Sequence, residues 1–504
     1  LYISLHQREN SFLVPESGDG EMTEAAEPGS GRFVVVCKRE CETCAMVAPL
    51  LREMTGRGLL LTVYTQDDPS FPEGIADVVD DTTLEQSWRL SVETVPTLIR
   101  LQDGAEAERA TGWDREQWRA ITGIPDLGRD LPASRPGCGA LNAAPGMAET
   151  LAARFGGTGL TSRRILSNTA EDPVETCYSR GWTDGLPVVP PAETLVLRML
   201  EGTPRPPGEL VAQIPPNGGA CTVEKAAINA VMAGCRPEYL PVVLAAVEAA
   251  CMEEFCLHGL LATTYFSGPM IVANGPVRRK IGMNAGVNVF GQGSRANATI
   301  GRALQLIIRN VGGGRPGEID RATFGSPAKY GFCFAEDEEN SPWQPLSVDR
   351  GFDAGASTVT LFTGGELQGI LDQQSREPES LARTYAASLR AIVHPKIPMT
   401  ADAMLAVSPE HGRVFAQAGW AKSDLKDAIH SLLKLPGKEL VRGAGGMAEG
   451  VPVDFQDADL PKLRPDGLHI VFAGGPAGMF SAILAGWVAA GAGGSQPVTR
   501  EIES

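Results

Sequence analysis

The sequence predicts an α/β protein of two domains, a small N-terminal one joined to a larger mixed α/β one. Three observations predict it. The 504 residues exceed what one ordinary domain needs. Short β-branched runs alternate with apolar runs at helical spacing along most of the chain. Between the two parts, residues 126–145 are rich in Pro, Gly and Ala without periodicity, which marks a linker. The expected organisation is an extension at 1–28, a first domain at 29–125, the linker, and a large domain at 146–504. Hydrophobic residues at 43% and charged residues at 21% describe a globular chain able to bury cores. A net charge of −17 argues against nucleic acid or an anionic membrane surface as partner. No apolar run approaches the roughly 20 residues a bilayer span needs, so no membrane partner is expected.

The extension is polar and unpatterned over Leu1–Gly20. It lacks a basic segment followed by an apolar one, so no signal peptide is read there. Met22 is read as the natural start, with an upstream extension from a non-Met start codon as the alternative. Ten cysteines at irregular spacing do not make a disulfide scaffold, and a cytoplasmic, thiol-reduced protein is expected.

In the first domain, Phe33–Val36 reads as a strand and is followed by Cys41-Glu-Thr-Cys44. Met46, Val47, Leu50, Leu51 and Met54 then recur at helical spacing, which places Cys41 at a helix N-terminus. Free N–H groups and the helix dipole stabilise a thiolate there, making Cys41 the nucleophile. Cys44, one turn deeper, is placed to resolve a mixed disulfide. Leu59–Tyr64 reads as the next strand and Leu98–Leu101 as another, preceded by Thr94-Val95-Pro96-Thr97. Gln102-Asp103-Gly104 makes a hairpin turn, and a last helix runs from Asp114 to Thr122.

These features in this order resemble the thioredoxin family. Pro49, five residues past Cys44, falls where that family carries a helix-kinking proline, and Pro96 where it carries a cis-proline facing the CxxC pair. The resemblance implies a redox-active dithiol and a cellular thiol reductant as partner. Glu40 stands where the family usually has Trp, and Glu42-Thr43 where it usually has Gly-Pro. A carboxylate beside the thiol opposes thiolate formation, while Lys38 and Arg39 favour it. Cys37 is read as a buried strand residue, with zinc held by Cys37, Cys41 and Cys44 as the alternative. Cys138, inside the linker, is read as an ordinary thiol, with exchange with Cys41 as the alternative.

Beyond residue 146, helices are expected at Ala192–Leu200, Val223–Ala233, Pro237–Phe255, Ala298–Val311, Glu366–Gln374, Pro378–Ala391, Pro409–Ala418, Lys422–Leu433 and Gly478–Ala489. Strands are expected at Leu261–Thr264, Met270–Ala273, Tyr330–Phe334, Thr358–Phe362 and His469–Ala473. No short-period repeat is visible. The phrases at Gly181–Pro191, Gly293–Arg302 and Cys333–Pro345 resemble an uncharacterised bacterial family associated with UGSC-type (seleno)protein gene neighbourhoods. That resemblance implies redox chemistry and supplies no catalytic residues.

Four groups in this part have residue types suited to chemistry. Gly291, Gly293, Ser294, Arg295 and Asn297 crowd the start of an amphipathic helix and suit a carboxylate or phosphate, a capped Gly-rich turn being the plainer alternative. Cys221 precedes a helix, where a thiol is activated, and is the preferred second nucleophile. Cys256 and His258, with Glu336 from the acidic run Glu336–Glu339, have ligand types for zinc, copper or iron. Core packing for the cysteine and a solvated acidic turn are the bland readings of these residues. Ala473–Gly478 resembles a flavin-binding turn, but too little chain follows for a sequential dinucleotide unit, so no flavin is expected. His394, His411, His430 and His469 are assigned no partners, and no Ser–His–Asp triad is read.

The expected function is a thiol-dependent oxidoreductase in which the dithiol of the first domain serves a large domain acting on a small anionic substrate. A metal-dependent lyase or hydrolase cleaving a carbon–heteroatom bond, and a non-catalytic redox switch, are the alternatives. Several apolar helices in the large domain are compatible with a homodimer.

Overall fold

The computed structural model describes residues 2–4, 31–76, 78–166, 171–399, 401–487 and 495–503. Apart from residues 2–4, the expected extension at 1–28 lies outside the described residues. The protein is mixed α/β, in two compact units. Residues 3–159 with 164–171 form one unit; residues 1–2, 160–163 and 172–504 form the other. No described helix is long and apolar enough to cross a membrane.

The N-terminal unit is built on five strands. They are β1 (Arg32–Cys37), β2 (Leu60–Thr65), β3 (Val78–Asp80), β5 (Thr97–Gln102) and β6 (Ala105–Thr111), in the sheet order β3-β2-β1-β5-β6. β1 is parallel to β2 and antiparallel to β5. Helix α1 (Glu42–Gly56) returns the chain from β1 to β2, the crossover that a parallel pair requires. α1 carries Pro49 and buries Val47, Leu50, Leu51 and Met54, the apolar face that the sequence spacing predicts. Helix α2 (Arg115–Thr122) is capped by Asp114, whose side chain accepts the N–H of Gln117. It buries Trp118 against Trp113, with ring centroids 5.4 Å apart.

The stretch read as a linker is structured. Ser134–Arg135 pairs with Trp113–Asp114, and β7 (Cys138–Gly139) pairs antiparallel with β4 (Thr94–Val95). Asn142, buried, receives a hydrogen bond from Gln66 Nε2 at 2.8 Å and gives one to Val92 O at 2.6 Å. These backbone and buried polar groups find their partners within the N-terminal unit, which is why the segment packs there.

The large unit contains helices α3 (Val223–Ala233) and α4 (Leu240–Ala250), strand β8 (Gly268–Asn274), helix α5 (Arg295–Asn310), and strands β9 (Cys333–Ala335), β10 (Thr358–Gly364) and β11 (Glu366–Leu371). Then come α6 (Pro378–Leu389), β12 (Ala401–Val407), α7 (Pro409–Gln417), α8 (Lys422–Leu432), β13 (Leu468–Phe472), β14 (Phe480–Trp487) and β15 (Val498–Glu501). The principal sheets have the orders β9-β8-β10-β15 and β11-β14-β12-β13. Met270, Val272, Phe334 and Phe362 of the first share a core with Met404, Ala406, Val471 and Leu484 of the second. The other face of the second sheet packs on α6, α7 and α8 through Leu405, Ile470, Ile483, Leu381, Phe415 and Ile429. Helices α4 and α5 contact strands of the first sheet. Covered on both faces, β8 and β12 are buried along all seven residues, so their sequences do not alternate.

The two sheets are duplicates in register. Ile271 of β8 lies parallel to Cys333 and antiparallel to Leu361; Leu405 of β12 lies parallel to Ile470 and antiparallel to Ile483. Leu361 in turn faces Val498, and Ile483 faces Gln368. The outer strands are exchanged: β11, which follows β10, joins the second sheet, and β15, which follows β14, joins the first. Equivalent turns close the parallel pairs, with Glu336 N–H bonding Ala273 O and Ala473 N–H bonding Val407 O.

Several expected elements differ. Glu366–Gln374 contains β11 instead of a helix, and Gly478–Ala489 contains β14 as far as Trp487, residues 488 and 489 lying outside the described residues. β14 lies between two other strands, and an Ala- and Leu-rich run buried on both faces has no period to separate it from a buried helix. The strand expected at Leu261–Thr264 overlaps the helix Leu257–Ala262, and the helix expected over Pro237–Phe255 breaks after Ala250.

Candidate functional site

β1 delivers the chain to the start of α1, where Cys41 is the N-cap. Its sulfur accepts the N–H of Cys44 at 3.3 Å, and its S–H donates to Val95 O at 3.4 Å. The Val95–Pro96 bond that follows is cis. β4 carries Val95, and its partner residue across the antiparallel pair is Cys138. The Cys138 thiol is close enough to that of Cys41 for each to shift the ionisation of the other.

The segment bearing Cys138 is fastened over the start of α1. Thr43 Oγ1 donates to Pro136 O at 2.7 Å, Lys38 Nζ donates to Gly139 O at 2.9 Å, and Arg135 forms an ion pair with Glu42. Gly137 is required by this approach, since a Cβ there would lie 2.5 Å from Val95 O. Under this cover Cys41 is fully excluded from solvent, whereas Cys138 is half-buried.

The electrostatics single out Cys41. Burial pushes its thiol up, but hydrogen bonds from the Cys138 thiol, the Cys44 amide and thiol, and the Cys138 main chain outweigh it and hold Cys41 below the ordinary thiol range. Burial pushes Cys37 and Cys44 far up. Cys138 is raised first by its hydrogen bond to Cys41, then by burial, while Lys38 acts to lower it. Lys38 thus acts through Cys138, and Arg39 is engaged elsewhere, with Asp68 and Glu73.

In the large unit, Cys221 is fully buried at the end of a short strand, and burial pushes its thiol up to about 12. This is opposite to the shift that a helix N-terminus alone gives, because desolvation of a thiolate outweighs the dipole there. In the Gly291–Asn297 turn, Ser294 caps α5 by accepting the Asn297 N–H at 3.3 Å. Asn297 is buried, accepts from Asn284 N–H at 3.0 Å and donates to Asn284 O at 2.9 Å. Arg295 Nε donates to Gly234 O at 2.9 Å, and Gly291 and Gly293 are exposed. The polar side chains here hold the turn itself.

Glu336 is fully buried. Its carboxylate accepts Asn274 Nδ2 at 2.8 Å, Leu346 N–H at 2.8 Å and Phe472 N–H at 3.2 Å. Cys256 is half-buried at the cap of the helix that carries His258. Among the described residues, no group of three or more His, Cys, Asp or Glu side chains is placed to hold a metal ion, and Glu336 forms no such group with Cys256 and His258. In the rest of the acidic run, Glu338 and Glu339 both pair with the buried Arg278 at 2.8 Å, and Asp337 accepts from Asn340 Nδ2 at 2.9 Å.

Two arrangements had no sequence signal. His411 has partners after all: Nδ1 meets Ser481 Oγ at 2.8 Å and Nε2 meets Asp372 O at 3.0 Å, with Tyr385 OH also on Ser481 at 2.8 Å. The carbonyl fixes the proton on Nε2, so Nδ1 accepts from Ser481. All three side chains are buried, and the cluster joins α6 and α7 to β14. The second arrangement is a cavity of 410 Å³ lined by Arg163, Lys225 and Arg315, with Trp182, Ile228, Met232, Asn229 and Asn310 among its walls. None of its described lining residues is acidic. The neighbouring Arg309 is pressed below its ordinary range by burial and by the like charge of Arg315. The residues come from four separate stretches of chain, which no sequence motif could join.

No family model matches this chain, and no curated protein matches it.

Proposed function

We propose that this chain is a thiol–disulfide oxidoreductase. Its N-terminal unit is a thioredoxin-like module with Cys41 as nucleophile and Cys44 as resolving thiol. Its large unit binds a small anionic substrate in the cavity lined by Arg163, Lys225 and Arg315. The observation that carries the reading is the contrast among thiols: Cys41 is held below the ordinary range, whereas burial pushes Cys37, Cys44, Cys221, Cys235, Cys251 and Cys333 up. The sheet order, the dithiol at the start of α1 and the cis Val95–Pro96 bond beside it support the same reading.

The chemistry is two exchanges. The Cys41 thiolate attacks one sulfur of a target disulfide, forms a mixed disulfide and expels the other sulfur as a thiolate. Cys44 then loses its proton, attacks Cys41 and closes the Cys41–Cys44 bond, releasing the second target thiol. The target gains two electrons and the dithiol loses two. A cellular thiol reductant restores the starting state. Peptide mapping after equilibration in graded glutathione redox buffers tests this. One reversible transition of the Cys41–Cys44 disulfide supports the reading, and its absence over the whole range ends it.

A further inference from the structure

Cys41 is fully buried beneath residues 134–139, so an external thiol has no direct line to its sulfur. Cys138 lies against Cys41 and is itself half-buried, open on its other side. The pairing of β7 with β4 fixes Cys138 opposite Val95, the residue whose carbonyl receives the Cys41 thiol. Three independent ties, from Thr43, Lys38 and Arg135, hold that register.

We propose that Cys138 is a third redox thiol, carrying the disulfide between the covered Cys41–Cys44 pair and solvent. The proposal rests on the dithiol reading above. In the reduced protein the Cys138 S–H donates to Cys41, which keeps Cys138 protonated and idle. Once Cys41 and Cys44 are joined, Cys41 is no longer an ionisable thiol acting on Cys138, and Lys38 remains to favour ionisation of Cys138. The Cys138 thiolate attacks the Cys41 sulfur, the Cys41–Cys138 bond forms, and the Cys41–Cys44 bond breaks. Cys44 leaves with the electron pair and takes up the proton that Cys138 gave to solvent.

A small-molecule thiol then attacks Cys138, the exposed end of the new disulfide. Cys41 departs as the thiolate, whose sulfur still receives the Cys44 N–H. A second small thiol clears Cys138, giving one small-molecule disulfide and three protein thiols. Two external thiols are oxidised and one protein disulfide is reduced.

The test oxidises the full chain with diamide, adds reduced glutathione, quenches with acid and maps the cysteines after alkylation. Wild-type protein is expected to pass through a Cys41–Cys138 species. The Cys138→Ser variant, starting from the same Cys41–Cys44 disulfide, is expected to be reduced roughly tenfold more slowly or worse. The Cys44→Ser variant is expected to collect as an intramolecular Cys41–Cys138 disulfide. Reduction of Cys138→Ser at the wild-type rate overturns the proposal, as does Cys44→Ser carrying glutathione on Cys41 with Cys138 free. In both cases the Cys41–Cys44 disulfide of the wild type still stands and the dithiol reading survives. A wild type that forms no such disulfide removes both.

Discussion

The carboxylate of Glu336 accepts the main-chain N–H of Phe472 at 3.2 Å, tying the end of one duplicated parallel pair to the end of the other. A second bond, from Asp337 N–H to Phe472 O at 2.8 Å, runs beside it. Glu336 thus joins the two sheets, and three N–H donors lose their acceptor if it is removed. Glu336→Ala is expected to cost about 2–4 kcal/mol of unfolding free energy, measured by urea denaturation.

The pH dependence of the same residue has a definite sign. Burial raises the Glu336 carboxyl, so the folded protein favours its protonated form. Its contribution is complete below the ordinary glutamate range, about 4.3, and is lost as pH rises through the raised value. Glu336→Gln lacks that titration. The stability gap between wild type and Glu336→Gln should therefore narrow as pH increases from 4 upward, and a gap that widens contradicts the assignment.

Asp372 behaves oppositely. Burial would raise its carboxyl, but Thr384, Ser375 and Gln374 donate to it and hold it at about 2. That stabilisation is present above the ordinary aspartate range and lost as pH falls toward about 2. Asp372→Asn should lose roughly 2 kcal/mol at neutral pH and almost nothing near the folded pKa. Thermal melts from neutral to acid read the difference directly.

The placement of Cys41 and Cys44 at the start of a helix was legible in the sequence because it depends on local features: a β-branched run, CxxC, then apolar residues at helical spacing. The strand–helix–strand frame around it follows from the same periodicities. For Cys138 the sequence left exchange with Cys41 only as the alternative to an ordinary thiol, since β4 and β7 have two residues each and leave no pattern that places it. The duplication was hidden for a different reason. Backbone register is preserved while side chains diverge, so that Asn274 stands where the other half has Ser408, and Glu336 where it has Ala473. β14 was misread because its two buried faces erase alternation, and the cation-lined cavity because its walls come together only in three dimensions.

The Cys138 thiol is the first of the hydrogen bonds that hold Cys41 down. Cys138→Ala removes that S–H donor and leaves the main-chain donors of Cys44 and Cys138 in place. The Cys41 thiol should rise toward or above its ordinary range while the fold is retained. Following thiolate ultraviolet absorbance against pH in a Cys37→Ser, Cys44→Ser background separates Cys41 from its neighbours. An unchanged Cys41 titration on adding Cys138→Ala would show that the contact contributes nothing.

Arg163, Lys225 and Arg315 are three cations in one cavity with no carboxylate among the described lining residues. The Lys225 ammonium spends one donor on Ala220 O at 2.7 Å and keeps two. An anion among these cations gains attraction from each, so the cavity should take a small dianion better than a neutral molecule of equal size. Calorimetric titration of the full chain with inorganic phosphate tests it. Lys225→Ala and Arg315→Ala should each weaken phosphate roughly tenfold, which corresponds to about 1.4 kcal/mol per removed cation. Raising the ionic strength should weaken it further, since screening acts on the same charges. Equal affinity in wild type and the double variant would place the anion elsewhere and leave this cavity without a ligand role.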